Sequence, residues 1–110
     1  GNPATHIENR AGEPCANPYL YMASQIVAGL DGIDRGLDPG PPETAPYESD
    51  KPHMPASLMD AVAALEKSAL YREAFSDAYV DYILAVKRSE IGRFLKHVTD
   101  WEQREYFEVF

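Results

Sequence analysis

The chain has 110 residues, of which 45% are hydrophobic, and a formal net charge of −8 at pH 7. That length allows one domain at most, and no apolar run is long enough to cross a bilayer. The acidic balance argues against a nucleic-acid partner or an anionic membrane surface, because both require clustered Lys and Arg. The single cysteine, Cys15, excludes an internal disulfide and fits a reducing compartment, so we expect a cytoplasmic protein. The chain starts at Gly1 rather than Met, which predicts a processed product or a piece of a longer chain.

Residues 5–10 predict a short N-terminal β-strand. Alternate side chains of a strand share one face, so His6, Glu8 and Arg10 would project together. Three ionisable groups on one face could bind a metal ion and a phosphate, whereas Glu and Arg two residues apart are more often a solvated ion pair. We find no second strand in the chain. Since one strand cannot satisfy its own backbone groups, we expect its partners to lie outside this sequence.

The first helix is predicted to begin at Asn17, a favourable N-cap, with Pro18 at the first helical position. Gly32 and Gly36 mark its fraying end. Apolar residues recur at helical spacing between these limits, namely Tyr19, Met22, Ala23, Ile26, Val27 and Leu30. The connector that follows, residues 37–54, predicts an extended surface loop because it contains Pro39, Pro41, Pro42, Pro46 and Pro52.

A second helix is predicted after Pro55, where Ser57 and Asp60 resemble a capping box. Its apolar face is formed by Leu58, Val62 and Leu65. We expect a break at residues 68–71, followed by a turn of helix that ends at Phe75.

The third helix is predicted to be the longest and to start near Ser76. Lys87 falls on its apolar stripe and is expected either to extend its amine to solvent or to meet an acid. Thr99 and Glu102 form a second capping box that would open a short C-terminal helix through Trp101, Tyr106 and Phe107. The stripe itself consists of Val80, Ile83, Leu84, Ile91, Phe94, Leu95 and Val98.

The remaining candidates for chemistry favour structural roles. His53 and His97 have no partner at metal-ligand spacing, and Cys15 has no Cys or His at nucleophile or zinc spacing, so we expect Cys15 to be a small buried side chain. The sequence contains no Gly-rich phosphate loop, no Ser-centred nucleophile elbow and no zinc motif.

With these residues in view, the chain resembles the C-terminal part of the catalytic domain of a glutamine synthetase over essentially its whole length. Three motifs carry the resemblance in order: Ile-Glu-Asn-Arg at residues 7–10, Ala-Asn-Pro-Tyr-Leu at 16–20 and Ala-Gly-Leu-Asp-Gly-Ile at 28–33. A Pro-x-Ser-Leu helix start and a terminal Trp-Glu-x-x-Glu-Tyr helix also fit. The resemblance implies a mainly α fragment of an α+β catalytic domain: a short N-terminal strand, three principal helices and a short C-terminal helix over residues 1–110.

The family resemblance implies an ATP-dependent carboxylate–amine ligase of nitrogen metabolism, which forms γ-glutamyl phosphate and lets ammonia displace the phosphate to give glutamine. Glu8 matches the strand carboxylate that ligates Mg²⁺ or Mn²⁺, and Arg10 matches the arginine that binds glutamate and the transferring phosphoryl group. His6 departs from the arginine or aromatic residue common at its position, although a histidine could still donate a hydrogen bond to a substrate phosphate. Hard cations prefer carboxylate oxygen, and a phosphoryl group in transfer needs a fixed positive fork.

The resemblance also implies partners. They are the remainder of the catalytic domain, an N-terminal β-rich domain and further copies in a homo-oligomeric ring, with glutamate and ammonia or another amine as substrates. Because the other metal ligands and ATP-binding stretches belong to upstream sequence, we expect these 110 residues alone to be inactive. Three alternatives remain open: a γ-glutamyl-polyamine or other γ-glutamyl-amine ligase, a non-catalytic helical assembly module, and an unrelated helical domain.

Overall fold

The computed structural model describes residues 1–45, 47–48 and 50–109, and all regular structure among them is helical. The chain divides into two compact units, residues 1–42 and 43–110. The first unit contains α1 (Pro18–Asp34), and the second contains α2 (Leu58–Glu66), α3 (Ala69–Phe75), α4 (Asp77–Phe94) and α5 (Trp101–Tyr106). The prediction of a mainly α fragment is therefore confirmed. Pro46, part of the predicted proline-rich loop, lies outside the described residues.

The predicted strand at residues 5–10 does not form. The segment is fully exposed irregular chain, preceded by a turn in which the amide of Thr5 donates to the carbonyl of Asn2 at 2.9 Å. The reason is the one that the sequence already indicated: the described chain supplies no neighbouring strand to pair with these backbone groups. The prediction of this strand is therefore wrong for the chain as it stands.

Helix α1 begins and ends where its sequence signals indicate. The side chain of Asn17 accepts hydrogen bonds from the amides of Tyr19 and Leu20 at 3.0 and 3.3 Å, and Pro18 occupies the first turn. At the other end, the amide of Leu37 donates to the carbonyl of Gly32 at 2.9 Å, and Gly36 has φ +59°. This is a Schellman closure, in which the left-handed residue is most easily a glycine. Both ends of α1 are thus fixed locally.

Three side chains form the buried core of the second unit, namely Val62 on α2 with Val80 and Leu84 on α4. Each belongs to an apolar stripe that the sequence predicted, but most of the remaining stripe is exposed. Phe94, for example, is 72% exposed and Leu95 is 63% exposed. The apolar periodicity therefore identified the helices correctly and overestimated how much of each helix is covered.

Helix α4 is shorter than its apolar stripe predicts, because the stripe continues to Val98 while the helix ends at Phe94. Beyond that point the backbone tightens into bonds between residues three apart: the amide of Lys96 donates to Arg93 at 3.2 Å, and that of His97 to Phe94 at 3.0 Å. Such tightening is a common way for a helix to satisfy its last carbonyls. Val98 consequently lies outside the helix and is 90% exposed.

Polar contacts tie the short helices together. The guanidinium of Arg72 on α3 donates to the carbonyl of Glu66 at 3.2 Å, to Asp77 at 2.9 Å and to Asp81 at 3.0 Å. One side chain therefore joins the end of α2 to the first turns of α4, and the hydrogen bonds to Asp77 and Asp81 raise the pKa of Arg72 above its already high ordinary value. On α4, Lys87 meets an acid as predicted, with its amine 2.8 Å from the carboxylate of Glu90.

The two predicted capping boxes differ in outcome. Ser57 caps α2: its hydroxyl accepts from the amide of Asp60 at 3.1 Å and donates to the carboxylate of Asp60 at 2.7 Å. At α5 the N-cap is Asp100, which makes no side-chain capping bond, and the contact between Thr99 and Glu102 at 3.3 Å joins their side chains only. The helix at Trp101 is confirmed, whereas the box that was to open it is incomplete.

The junction of α3 and α4 holds a backbone conformation that favours glycine. Ser76 has φ +74° and ψ 152°, which is the region that side-chain-bearing residues rarely adopt, and its hydroxyl accepts from the amide of Tyr79 at 3.4 Å. Residues held there are strained by roughly 1–3 kcal/mol. The sequence gives no signal of this strain, because serine is also an ordinary N-cap.

We predict that Ser76→Gly stabilises the protein by about 1 kcal/mol, because glycine relieves the strain while losing only a few tenths as an N-cap. Urea unfolding followed by circular dichroism measures the change in the free energy of unfolding. Ser57→Gly is the matched control: Ser57 also caps a helix but has φ −140°, so this variant has no strain to relieve and should be slightly less stable. Equal effects of the two substitutions would contradict the strain at Ser76.

An ion pair between α2 and α4 makes stability depend on pH. Nη2 of Arg88 lies 2.6 Å from Oε2 of Glu66, and Arg88 lowers the pKa of the Glu66 carboxyl through this hydrogen bond and through its charge. A carboxyl whose pKa is lowered by folding contributes stability above its unfolded pKa and loses that contribution as the pH falls through the folded value. Both side chains are about half exposed, so the contribution is small.

We predict that Arg88→Gln lowers stability at pH 7 and that its difference from the parent disappears as the pH falls below 4.5, the ordinary pKa of Glu66. Thermal unfolding between pH 3 and pH 7 measures this. Arg93→Gln is the control, because the Arg93 guanidinium donates to the Ser89 hydroxyl rather than to a carboxylate. A stability difference for Arg88→Gln that is the same at every pH would rule out the pair as its source.

Candidate functional site

The predicted site residues lie in the irregular segment before α1, and the structure brings two of the three together. Nη2 of Arg10 lies 2.9 Å from Oε2 of Glu8, and these side chains are 83% and 56% exposed. An exposed ion pair of this kind contributes between zero and about 1 kcal/mol, because water competes well with the partner. Either charged group can therefore exchange its partner for a ligand at little cost.

His6 is engaged elsewhere. Its Nδ1 lies 2.7 Å from the carbonyl oxygen of Ala4, and because a carbonyl can only accept, Nδ1 carries the hydrogen. In the neutral ring Nε2 is then an acceptor, so His6 could donate to a phosphate oxygen only through Nε2 of the protonated ring. The hydrogen bond described for His6 thus joins it to neither Glu8 nor Arg10.

The segment is linked to α1 by a residue that the sequence analysis did not single out. The side-chain amide of Asn9, between Glu8 and Arg10, donates from Nδ2 to Oε1 of Gln25 at 2.6 Å and accepts at Oδ1 from the amide of Ala11 at 2.9 Å. The second bond closes an Asx turn, a conformation that Asn favours. In the predicted strand, alternation would place Asn9 on the face opposite to Glu8 and Arg10, and that pattern gives no indication of a contact with Gln25.

The described residues do not by themselves hold a metal ion. Among residues 1–45, 47–48 and 50–109, no group of three or more His, Cys, Asp and Glu side chains is placed to bind one. Glu8 offers a single carboxylate, whereas Mg²⁺ demands near-octahedral coordination by oxygen. In this chain alone the residues therefore do not fit the cation that the family resemblance implies.

The other candidates are solvent-exposed. Cys15, predicted to be buried, is exposed, because it lies in the turn before α1 where nothing in the described chain covers it. His53 and His97 are exposed as well.

An apolar groove of about 400 Å³ lies on the second unit beside Leu58, Ile91 and Phe94, and none of the predicted site residues lines it. No helix among the described residues is long and apolar enough to span a membrane.

Comparison with known proteins identifies the class to which these residues belong. The family model "Glutamine synthetase, catalytic domain" matches residues 1–106. The chain therefore belongs to the glutamine synthetase family.

Several curated relatives align with nearly the whole chain. It is 50% identical to a γ-glutamylanilide synthase of an Acinetobacter species, with 99% of this chain and 24% of the relative aligned. It is 35% identical to a glutamate–methylamine ligase of Methyloversatilis universalis, covering 99% of this chain and 26% of that protein. It is 31% identical to a glutamine synthetase of Archaeoglobus fulgidus, covering 96% and 23%. The chain thus spans about a quarter of the length of each of these relatives.

Proposed function

We propose that the chain is the C-terminal portion of the catalytic domain of an ATP-dependent ligase that joins the γ-carboxyl group of glutamate to an amine. Membership of the glutamine synthetase family supports this proposal. In the reaction, a γ-carboxylate oxygen attacks the terminal phosphorus of ATP, and ADP leaves. The amine nitrogen then attacks the carbonyl carbon of the γ-glutamyl phosphate, phosphate leaves with the C–O bond electrons, and the nitrogen loses a proton.

Within this reaction we assign Arg10 to glutamate and to the phosphoryl group in transfer. A guanidinium presents a planar fork of donors that matches carboxylate and phosphate oxygens, and its charge opposes the negative charge that accumulates. Its partner in the structure is one exposed carboxylate at 2.9 Å, so binding of substrate replaces a weak interaction. His6 is assigned a secondary part, donating to a substrate phosphate in its protonated form.

We assign Glu8 as one carboxylate ligand of Mg²⁺ or Mn²⁺. The cation, when bound by the complete ligand set, would neutralise charge on the nucleotide phosphates. The other ligands would come from the rest of the polypeptide or from a neighbouring subunit of a homo-oligomer, and ATP would bind there as well. We place the reaction in the cytoplasm, in keeping with a chain whose only cysteine is exposed.

The identity of the amine substrate decides whether the proposed enzyme makes glutamine or another γ-glutamyl amide. The 50% identity to a γ-glutamylanilide synthase over 99% of the chain favours an arylamine, and the identity to a glutamate–methylamine ligase favours an alkylamine in second place. Ammonia, which would make the enzyme a glutamine synthetase proper, follows as the third candidate. An arylamine is largely unprotonated at neutral pH and can attack without first losing a proton, in contrast to methylamine or ammonia.

We predict that the longest natural polypeptide containing residues 1–110 releases phosphate from ATP in the presence of glutamate, Mg²⁺ and one amine. The panel is aniline, methylamine, ammonia, putrescine and ethanolamine, with the γ-glutamyl product identified by mass spectrometry. Glu8→Ala and Arg10→Ala should each reduce turnover about a hundredfold or more, the scale of losing one electrostatic group in an active site. Asp100→Ala and Arg104→Ala are matched controls, because they remove another ion pair in which both side chains are more than half exposed, at α5.

Turnover that survives both Glu8→Ala and Arg10→Ala would reduce this pair to surface charges and overturn the assigned roles. No turnover with any amine, in a correctly assembled oligomer, would favour the non-catalytic assembly module instead.

We further predict that the 110-residue chain alone releases no phosphate from ATP with any of these amines, because its described residues provide a single candidate ligand at the site and no metal-binding group. A phosphate-release assay at high protein concentration measures this. Release that Glu8→Ala abolishes would show that the chain is a complete catalyst. As a control, the same preparation should show the helical circular dichroism expected from α1 to α5.

A further inference from the structure

The irregular segment that carries Glu8 and Arg10 is fastened to helix α1 at two points. Asn9 donates to Oε1 of Gln25 at 2.6 Å. Three residues later, Gly12 lies against the ring of Tyr21, so closely that a Cβ at Gly12 would be 3.1 Å from the Cζ atom of that ring. The turn of residues 9–12 therefore rests on one side of α1.

The two contacts on α1 are adjacent on the helix surface. Tyr21 and Gln25 are four residues apart, and side chains at that spacing share a face. The helix beneath them is well supported, because its first turn is capped by Asn17 and begins with Pro18. The face of Tyr21, which is partly buried, and Gln25, which is exposed, is thus the part of α1 that the irregular segment contacts.

The orientation of the Asn9 amide is fixed by both of its ends. Oδ1 accepts from the amide of Ala11, so Nδ2 must point away from that backbone, and it meets an acceptor on Gln25. Both of these hydrogen bonds are solvent-exposed, as is the Glu8–Arg10 pair, but a side chain that bonds at both ends restrains the backbone to which it belongs. Glu8 and Arg10 are the immediate neighbours of Asn9 in the chain, so the restraint on the Asn9 backbone also limits where their side chains can lie.

Their own contact cannot supply this precision. The pair of Glu8 and Arg10 is more than half exposed at both side chains and is weak. Catalytic groups must be held within fractions of an ångström, and a displacement of about 1 Å can reduce a rate about a hundredfold. A support for these residues must therefore come from outside the pair.

We infer that Gln25 is a positioning residue of the ligase: its side-chain carbonyl holds the Asn9 amide and thereby sets the places of Glu8 and Arg10. This inference rests on the proposed function for its catalytic consequence. In this role Gln25 acts through Asn9 and is assigned no contact with substrate or metal ion. Tyr21 contributes the neighbouring contact through its ring, and its hydroxyl is buried without a hydrogen-bond partner among the described residues.

The test uses the longest natural polypeptide that contains these residues, with the amine that gives turnover. Gln25→Met keeps the length of the side chain and removes the acceptor, so kcat should fall and KM for glutamate should rise, together reducing kcat/KM roughly tenfold or more. KM for the amine should not change, because neither Glu8 nor Arg10 is assigned to it. Gln25→Glu retains an acceptor for Asn9 and should recover most of the loss. Gln103→Met, the same change on α5, is the control.

A double variant tests whether the effect passes through Asn9. If Gln25 acts through the amide of Asn9, the combination of Asn9→Ala with Gln25→Met should be no worse than Asn9→Ala alone. Additive losses, or a Gln25→Met enzyme whose KM for glutamate equals that of the parent, would overturn the positioning role while leaving the proposed function intact. A parent that is inactive, or insensitive to Glu8→Ala and Arg10→Ala, would overturn the proposed function and the positioning role with it.

Discussion

The packing of α2 against α4 is the constraint on which the second unit depends. Only Val62, Val80 and Leu84 are buried among the described hydrophobic residues, and burying one such side chain contributes about 1.5–3 kcal/mol. So small a core cannot hold short helices such as α3, of seven residues, and α5, of six residues, by apolar contact alone. Polar contacts add to the apolar packing, because the guanidinium of Arg72 on α3 is hydrogen-bonded to residues of α2 and α4. At the junction of α3 and α4, Ser76 adopts an unfavourable backbone conformation that lets α4 return alongside α2. The strain is tolerated because the turn it permits is what creates the core.

The first unit follows a different rule, since the described part of it has no buried hydrophobic side chain. Its order comes from hydrogen bonds at the ends of α1 and from the turn that Asn9 and Gly12 set against that helix. For a binding site this has a consequence. The charged side chains of Glu8 and Arg10 remain exposed to solvent, while Asn9 between them is hydrogen-bonded to Gln25 on α1. Under the proposed function, a weak ion pair on a restrained segment suits residues that exchange one another for a substrate and a cation.

Sequence reasoning succeeded mainly where the determinant was local, although the capping box of Thr99 and Glu102 is incomplete. The cap at Asn17 and the acid that meets Lys87 depend on residues within four positions of one another, and both are present. The break expected at residues 68–71 is shorter than predicted, because α3 already begins at Ala69. It failed where the determinant was distant. A strand at residues 5–10 requires partners that the chain does not supply, and the burial predicted for Cys15 requires a covering element that is likewise absent from the described residues. The link between Asn9 and Gln25 spans sixteen positions and joins two polar residues, so neither periodicity nor a motif could reveal it.

The family motifs and the contact geometry answer separate questions about the proposed reaction. Under the proposed function, the motif Ile-Glu-Asn-Arg at residues 7–10 acts in activation of the glutamate carboxyl, a step that such a ligase needs whatever amine follows. Relatives named for an anilide, for methylamine and for glutamine all align with this chain, as expected if the aligned region serves the shared step. Selection of the amine then falls to groups that contact the incoming nitrogen, and neither Glu8 nor Arg10 is assigned there. On this view Gln25 influences how well the carboxyl is activated and leaves the choice of amine unaltered, which is why the two Michaelis constants should respond differently to its substitution.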